Sequence, residues 1–209
     1  MTYPANRVLL IGVLLLSMLL TCCSMEKKNE SPPSFPDKMW QDGDIVFRRG
    51  GGVVSRVVLI ADNEGVYSHI GIVVKEGGKW QIVHAVPGEP DFKGDPDRVK
   101  MEDISCFFDP EKASRGAVMR VDEDSIVRKR AADRAKRLFR AHTLFDHSYN
   151  RTDSTQMYCT ELIDFVYRNE GIDLTEGRIS RINVPGVSGD YLLPSDIQQS
   201  KYLNLIYYF

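Results

Sequence analysis

The chain has 209 residues, 43% of them hydrophobic and 27% charged, with a formal net charge of −2. That length supports one domain with a self-sufficient core, and the near-neutral charge argues against a nucleic-acid-binding surface. Its 16 glycines, 10 prolines and four cysteines exclude the collagen-like, disordered and disulfide-scaffold classes.

The first segment reads as an address. Val8 to Leu20 is almost entirely apolar and follows Arg7, a run too short to span a bilayer comfortably but suited to a signal-peptide core. It ends in Leu19-Leu20-Thr21-Cys22-Cys23-Ser24, a pattern similar to a bacterial lipoprotein cleavage site. Cys23, or else Cys22, would then carry the lipid. Residues 1–22 are expected to be removed or buried in membrane. Residues 23–38, polar and proline-bearing, are expected to form a flexible tether. The folded domain is expected over 39–209, held at a bacterial cell envelope.

Within the domain, Asp44-Ile45-Val46-Phe47 reads as a short strand after the Asp42-Gly43 turn, and Val53 to Ala61 as a short helix after three glycines. No Lys-Ser/Thr follows those glycines, so a flexible turn is favoured over a phosphate loop. His69 to Lys75 and Trp80 to Val86 read as a hairpin about the turn at 76–79. Residues 87–98, rich in Pro, Gly and Asp, read as a loop. Gly116 to Val121 follows as a strand and Asp124 to His142 as a helix. Between Arg128 and Arg140 that helix carries seven basic residues against one acid. A solvated face explains them, and an anionic-membrane contact is the alternative. Tyr158 to Asn169 is predicted as a second helix ended by Gly171, Pro194 to Ile197 as a helical turn and Leu203 to Phe209 as a closing strand. The mixed order makes the class α+β, with a central antiparallel sheet and the Cys159 helix packed against it.

The hairpin carries the first chemical signal. If Lys75 pairs with Trp80, Gly71 falls opposite His84 and His69 opposite Val86, so His69 and His84 become diagonal neighbours on one face. A one-residue slip would separate them. The second signal is Cys159, which opens a helix. Unpaired backbone N–H groups and the positive end of the dipole are expected to lower its pKa there. If its helix lies against the hairpin, thiol and imidazole meet. The bland alternatives are a small core cysteine at 159 and a strand-end histidine at 84. Zinc binding by two His and one Cys is disfavoured because no close-spaced ligand pair is present. Cys106, among apolar and acidic neighbours, is expected to be inert. His142 and His147 are expected at the surface, and Glu161 to serve its helix N-terminus.

Three segments, Asp42-Gly43-Asp44-Ile45-Val46-Phe47, Ser68-His69-Ile70-Gly71-Ile72-Val73 and Tyr158-Cys159-Thr160-Glu161-Leu162, resemble in that order the circularly permuted branch of the NlpC-type papain-like cysteine hydrolases. This is the YiiX/YebB-like group, a distant relative of lecithin–retinol acyltransferase. Phe145-Asp146, Tyr149 and Leu193-Pro194-Ser195-Asp196 extend the likeness. The resemblance implies a permuted papain-like fold with Cys159 as nucleophile, His69 as base and then acid, and His84 as the residue orienting His69. The Cys159 N–H would serve as an oxyanion donor, and Tyr158, Asp146 and Tyr149 are candidates for the substrate pocket.

The expected activity is thiol hydrolysis of an amide through a thioester acyl-enzyme. The expected substrate is a cell-wall peptide or an N-acyl amino compound, with no metal, cofactor or nucleic acid involved. The alternatives are lipid acyl transfer or lipid ester hydrolysis, and a non-catalytic binding module on the same fold.

Overall fold

A computed structural model describes residues 33–36, 38–62, 65–151, 155–183 and 188–209. The expected signal peptide, with Cys22 and Cys23, lies outside the described residues. Chain order is β1 (Ile45–Arg49), α1 (Val53–Ala61), β2 (His69–Glu76), β3 (Lys79–Val86), β4 (Arg98–Asp103), α2 (Ile104–Phe107), β5 (Arg115–Val121), α3 (Ser125–Arg140), α4 (Cys159–Arg168), β6 (Ser180–Ile182), β7 (Gly189–Tyr191), α5 (Pro194–Gln198) and β8 (Leu203–Tyr208). Six strands form a central antiparallel sheet in the order β4-β3-β2-β1-β5-β8, and β6 pairs with β7 apart from it. No helix among the described residues is long and apolar enough to cross a membrane.

The β2–β3 hairpin sets the register on which the site depends. Gly77 and Gly78 both have positive φ, 55° and 83°, as a tight two-residue turn matched to strand twist requires. Lys75 therefore pairs with Trp80 and Ile72 with Val83.

Alternation gives the sheet two dissimilar faces. On one, Phe47, Ile70, Ile72, Val74, Val83 and Ala85 form a core with Ala131, Ala132 and Ala135 of α3 and Leu162, Ile163 and Val166 of α4. The three alanines present small side chains to the sheet. Asp124 caps α3 by accepting from the Ile126 N–H at 2.7 Å, a common device at helix starts. On the other face, Val46, Val73, Ile82 and Val118 pack under Phe107, Phe108 and Trp40. Asp44, fully buried, accepts two bonds from Arg120, at 2.6 and 2.8 Å. The Tyr167 hydroxyl donates to the Gly43 carbonyl and ties α4 to the start of β1.

Two boundaries differ from the sequence expectation. Phe35 packs against Trp40, Phe108, Tyr207 and Phe209, with ring centroids 5.0–6.0 Å away. The domain thus begins before residue 39, because one aromatic within the polar segment finds an apolar cluster to cover. Residues 98–103, expected partly in a loop, form the edge strand β4. Its charges Arg98, Lys100 and Glu102 resemble a solvent face, yet Lys100 is buried.

Candidate active site

The sheet face turned away from α3 and α4 ends in a polar row. Arg48 on β1 is the Cα partner of His69 on β2, and His84 on β3 is the partner of Lys100 on β4. Glu102, two residues on, shares that face. All but Glu102 are buried, and Phe107 lies against both imidazoles, with centroids 5.6 and 5.2 Å away.

His69 Nε2 and His84 Nδ1 lie 2.8 Å apart. His84 Nε2 lies 3.1 Å from Glu102 Oε1, with its N–H off the line to that oxygen, so neither atom has a well-aligned hydrogen bond. Burial works against ionisation of Glu102, but His84, Lys112 and Arg48 hold its carboxyl down at about 2. Burial pushes His84 below the ordinary imidazole range despite Glu102. It pushes His69 well below, helped by the charge of Arg48. Two neutral rings beside one carboxylate settle the tautomers by donor and acceptor logic. His84 carries its proton on Nε2, toward Glu102. His69 carries its proton on Nε2, toward His84. The free lone pair is on His69 Nδ1.

Cys159 is the first residue of α4, after Tyr158 in extended conformation. Glu161, two positions on, reaches back to the Tyr158 backbone N–H, half of a capping box. Leu192 grips both neighbours of the cysteine: its N–H donates to Tyr158 Oη at 3.3 Å and its carbonyl accepts from Thr160 Oγ1 at 2.6 Å. The Cys159 sulfur faces the backbone N–H groups of Ile70, Thr160 and Cys159 itself. The thiol therefore lies at the N-terminal end of β2, against the residue after His69, and the two side chains line one pocket. Cys159 packs against the core that α4 shares with the sheet. The expected lowering of the thiol pKa is corrected. Burial pushes it up to about 11, outweighing those N–H groups and Arg48. Cys159 and Cys106 are both free thiols.

Cys159 and His69 open onto a cavity of about 530 Å³. Val53, Val54 and Val57 of α1 form one wall, Ile182, Tyr191 and Leu192 another, and Arg48, Glu89 and Lys112 a charged corner. Tyr158 and Tyr149 line it. Asp146 does not. Its buried carboxylate accepts from the Ser148 N–H and hydroxyl at 2.8 and 2.6 Å and from the Asn150 N–H, which organises that loop.

A scan against family models finds no match, nor does a search of curated proteins. Solved structures do match. The yiiX protein of Escherichia coli O157:H7, described as a metalloprotein, superposes with a TM-score of 0.64 at 20% identity over 80% of this chain and 96% of that one. The fold is YiiX-like. The donors among the described residues do not suit a metal ion. Among the described residues no three His, Cys, Asp or Glu side chains are grouped to hold one, and His69 and His84 turn their facing nitrogens on each other at 2.8 Å.

Arg48 and Glu102 escaped the sequence reading. Their signal was present in the register: Arg48 continues the alternation Asp44, Val46, Arg48 on β1, and Glu102 continues Arg98, Lys100, Glu102 on β4. In both strands charge that faces the site is written like solvent-facing charge.

Proposed function

We propose that this chain is a thiol hydrolase of papain-like, circularly permuted type, with Cys159 as nucleophile and His69 as base. The observation that supports it most is the His69–His84 bond. It occupies Nε2 of His69 and leaves Nδ1 as the lone pair in the pocket that holds the thiol. In the attack, the Cys159 proton passes to His69 Nδ1 as the sulfur–carbon bond forms. The Cys159 N–H, a first-turn donor with no carbonyl of its own helix to bond, stabilises the oxyanion. Collapse breaks the carbon–nitrogen bond, and His69 returns the proton to the departing amine. Water then cleaves the thioester by the same route in reverse, releasing the acid and restoring the thiol. His84, steadied by Glu102, keeps His69 in the productive tautomer.

The substrate reading is an amide, as in a cell-wall peptide or an N-acyl amino compound. The valine and leucine walls of the cavity favour the second, since a chain without polar groups fills them at no desolvation cost. The same walls support the second reading, lipid ester hydrolysis or acyl transfer. A lipid on Cys23 or Cys22 would keep the enzyme at the envelope membrane.

Incubation with N-acyl amino acids, stem peptides and phospholipids, followed by intact mass, distinguishes these. An acyl adduct on Cys159 from the N-acyl compounds is expected, and it vanishes in Cys159→Ala. Full turnover by Cys159→Ala would overturn the nucleophile assignment. Fatty acid release from phospholipid alone would replace the amide reading with the lipid one.

A further inference from the structure

Helix α1 breaks the rule that apolar helices are covered. Seven of its nine residues, Val53-Val54-Ser55-Arg56-Val57-Val58-Leu59-Ile60-Ala61, are apolar, and none is buried. Val53 is 80% exposed, Ile60 74%, Val57 52% and Val54 50%. A helix apolar on all sides belongs inside a protein or in lipid, and exposed apolar patches of this kind mark contact surfaces. A second apolar residue, Phe92, stands 61% exposed in the segment that follows Val86–Glu89 on the pocket rim.

Charge identifies the partner. Arg56 within α1 and Lys93 beside Phe92 form no ion pair among the described residues. The same holds for Arg49 and Arg115, Cα partners at the strand end that leads through Gly50–Gly52 into α1. The basic residues of α3 behave differently. Lys129 and Lys136 each reach Asp133 at 2.8 Å, Arg130 and Arg134 reach Glu170 at 2.6 and 3.3 Å, and Arg140 reaches Glu76 at 2.6 Å. Arg128 and Arg137 of α3 form no ion pair either among the described residues, but the other five basic residues of that helix do, whereas the four cations named beside α1 and Phe92 are all without one. Apolar side chains interleaved with free cations suit the interface of an anionic bilayer.

We propose that α1 and the Phe92 tip dock on an anionic lipid bilayer, with the mouth of the Cys159 cavity turned toward it. The docking does not depend on the catalytic reading, and Cys159→Ala docks equally.

The test uses the full chain carrying Val57→Trp, at a position exposed enough to accept it, on vesicles of phosphatidylcholine with and without phosphatidylglycerol, with brominated acyl chains as quencher. The unsubstituted chain supplies the background from Trp40 and Trp80. Quenching of the introduced indole is expected on the anionic vesicles, weakened on phosphatidylcholine alone and lost when Arg56→Glu or Ile60→Asp is added. Phe92→Trp reads the second contact in the same way. Thermal melts of each variant confirm folding. An unquenched indole on vesicles that have bound the chain overturns the proposal. Shielding of the indole that grows with protein concentration and needs no vesicles overturns it in favour of a second copy.

Discussion

His69 and His84 bond across the β2–β3 hairpin as diagonal neighbours, Nε2 to Nδ1 at 2.8 Å. The two imidazoles have unequal surroundings: His69 lines the cavity that also holds Cys159, and His84 lies against the Glu102 carboxylate. His69→Ala is expected to lower kcat for the amide substrate by roughly 10²- to 10⁴-fold, with the fold intact by circular dichroism. A loss carried by KM alone would show that His69 binds and does not transfer protons.

On the proposed reading, Glu102 acts through His84. Glu102→Gln keeps the shape and removes the charge that fixes the tautomers, so kcat should fall roughly ten- to hundredfold at unchanged KM. Its pH signature is separate. The folded carboxyl sits at about 2 against an ordinary 4.5. Its stabilising contribution is therefore complete above about pH 4.5 and disappears as pH falls from there toward 2. Melting temperature against pH should be flatter across that window in the variant, and identical slopes would remove Glu102 from the account.

Gly71 lies against the base of His84 and its strand neighbours. A Cβ there would lie 2.6 Å from Ile82 Cγ2 and 3.2 Å from both His84 Cβ and the Val83 carbonyl. Gly71→Ala should displace Ile82 and tilt His84, costing activity out of proportion to stability. Paired measurements of kcat and melting temperature check this, and an active variant would show that His84 tolerates the shift.

The resting thiol should be protonated. With its pKa pushed up to about 11, Cys159 should react with iodoacetamide more slowly at pH 7.5 than a small thiol does. The rate should climb about tenfold per pH unit toward 10. Peptide-resolved mass spectrometry separates it from exposed Cys106. Brisk labelling at pH 6 that His69→Ala abolishes would instead mean a resting thiolate–imidazolium pair.

Asp44 anchors the start of β1 to Arg120 on β5. Asp44→Asn leaves a mostly covered guanidinium without its counter-charge, at an expected cost of about 3 kcal/mol or more by denaturant unfolding. A variant as stable as the parent would show that Arg120 finds solvent.

Much of the site could be read from the sequence because the Gly77–Gly78 turn fixes the register, and register alone puts His69 beside His84. Cys159 at a helix start was equally legible from the pattern that follows it. What escaped was long-range. Arg48 and Glu102 look like surface charges until neighbouring strands and Phe107 cover them. The thiol's direction of shift was misjudged because the helix terminus is local and visible, whereas the burial that outweighs it comes from distant segments. Asp146 failed to reach the pocket for a local reason: Ser148 and Asn150 take its carboxylate first.

Strands β1 to β4 are neighbours in space as they are in sequence, so Arg48, His69, His84 and Glu102 come from one continuous stretch of chain, while Cys159 follows 57 residues after Glu102. During synthesis these four residues leave the ribosome before Cys159 does. On the proposed reading, the nascent chain thus holds a base with nothing to activate, and the nucleophile is added to an assembly already prepared to receive it.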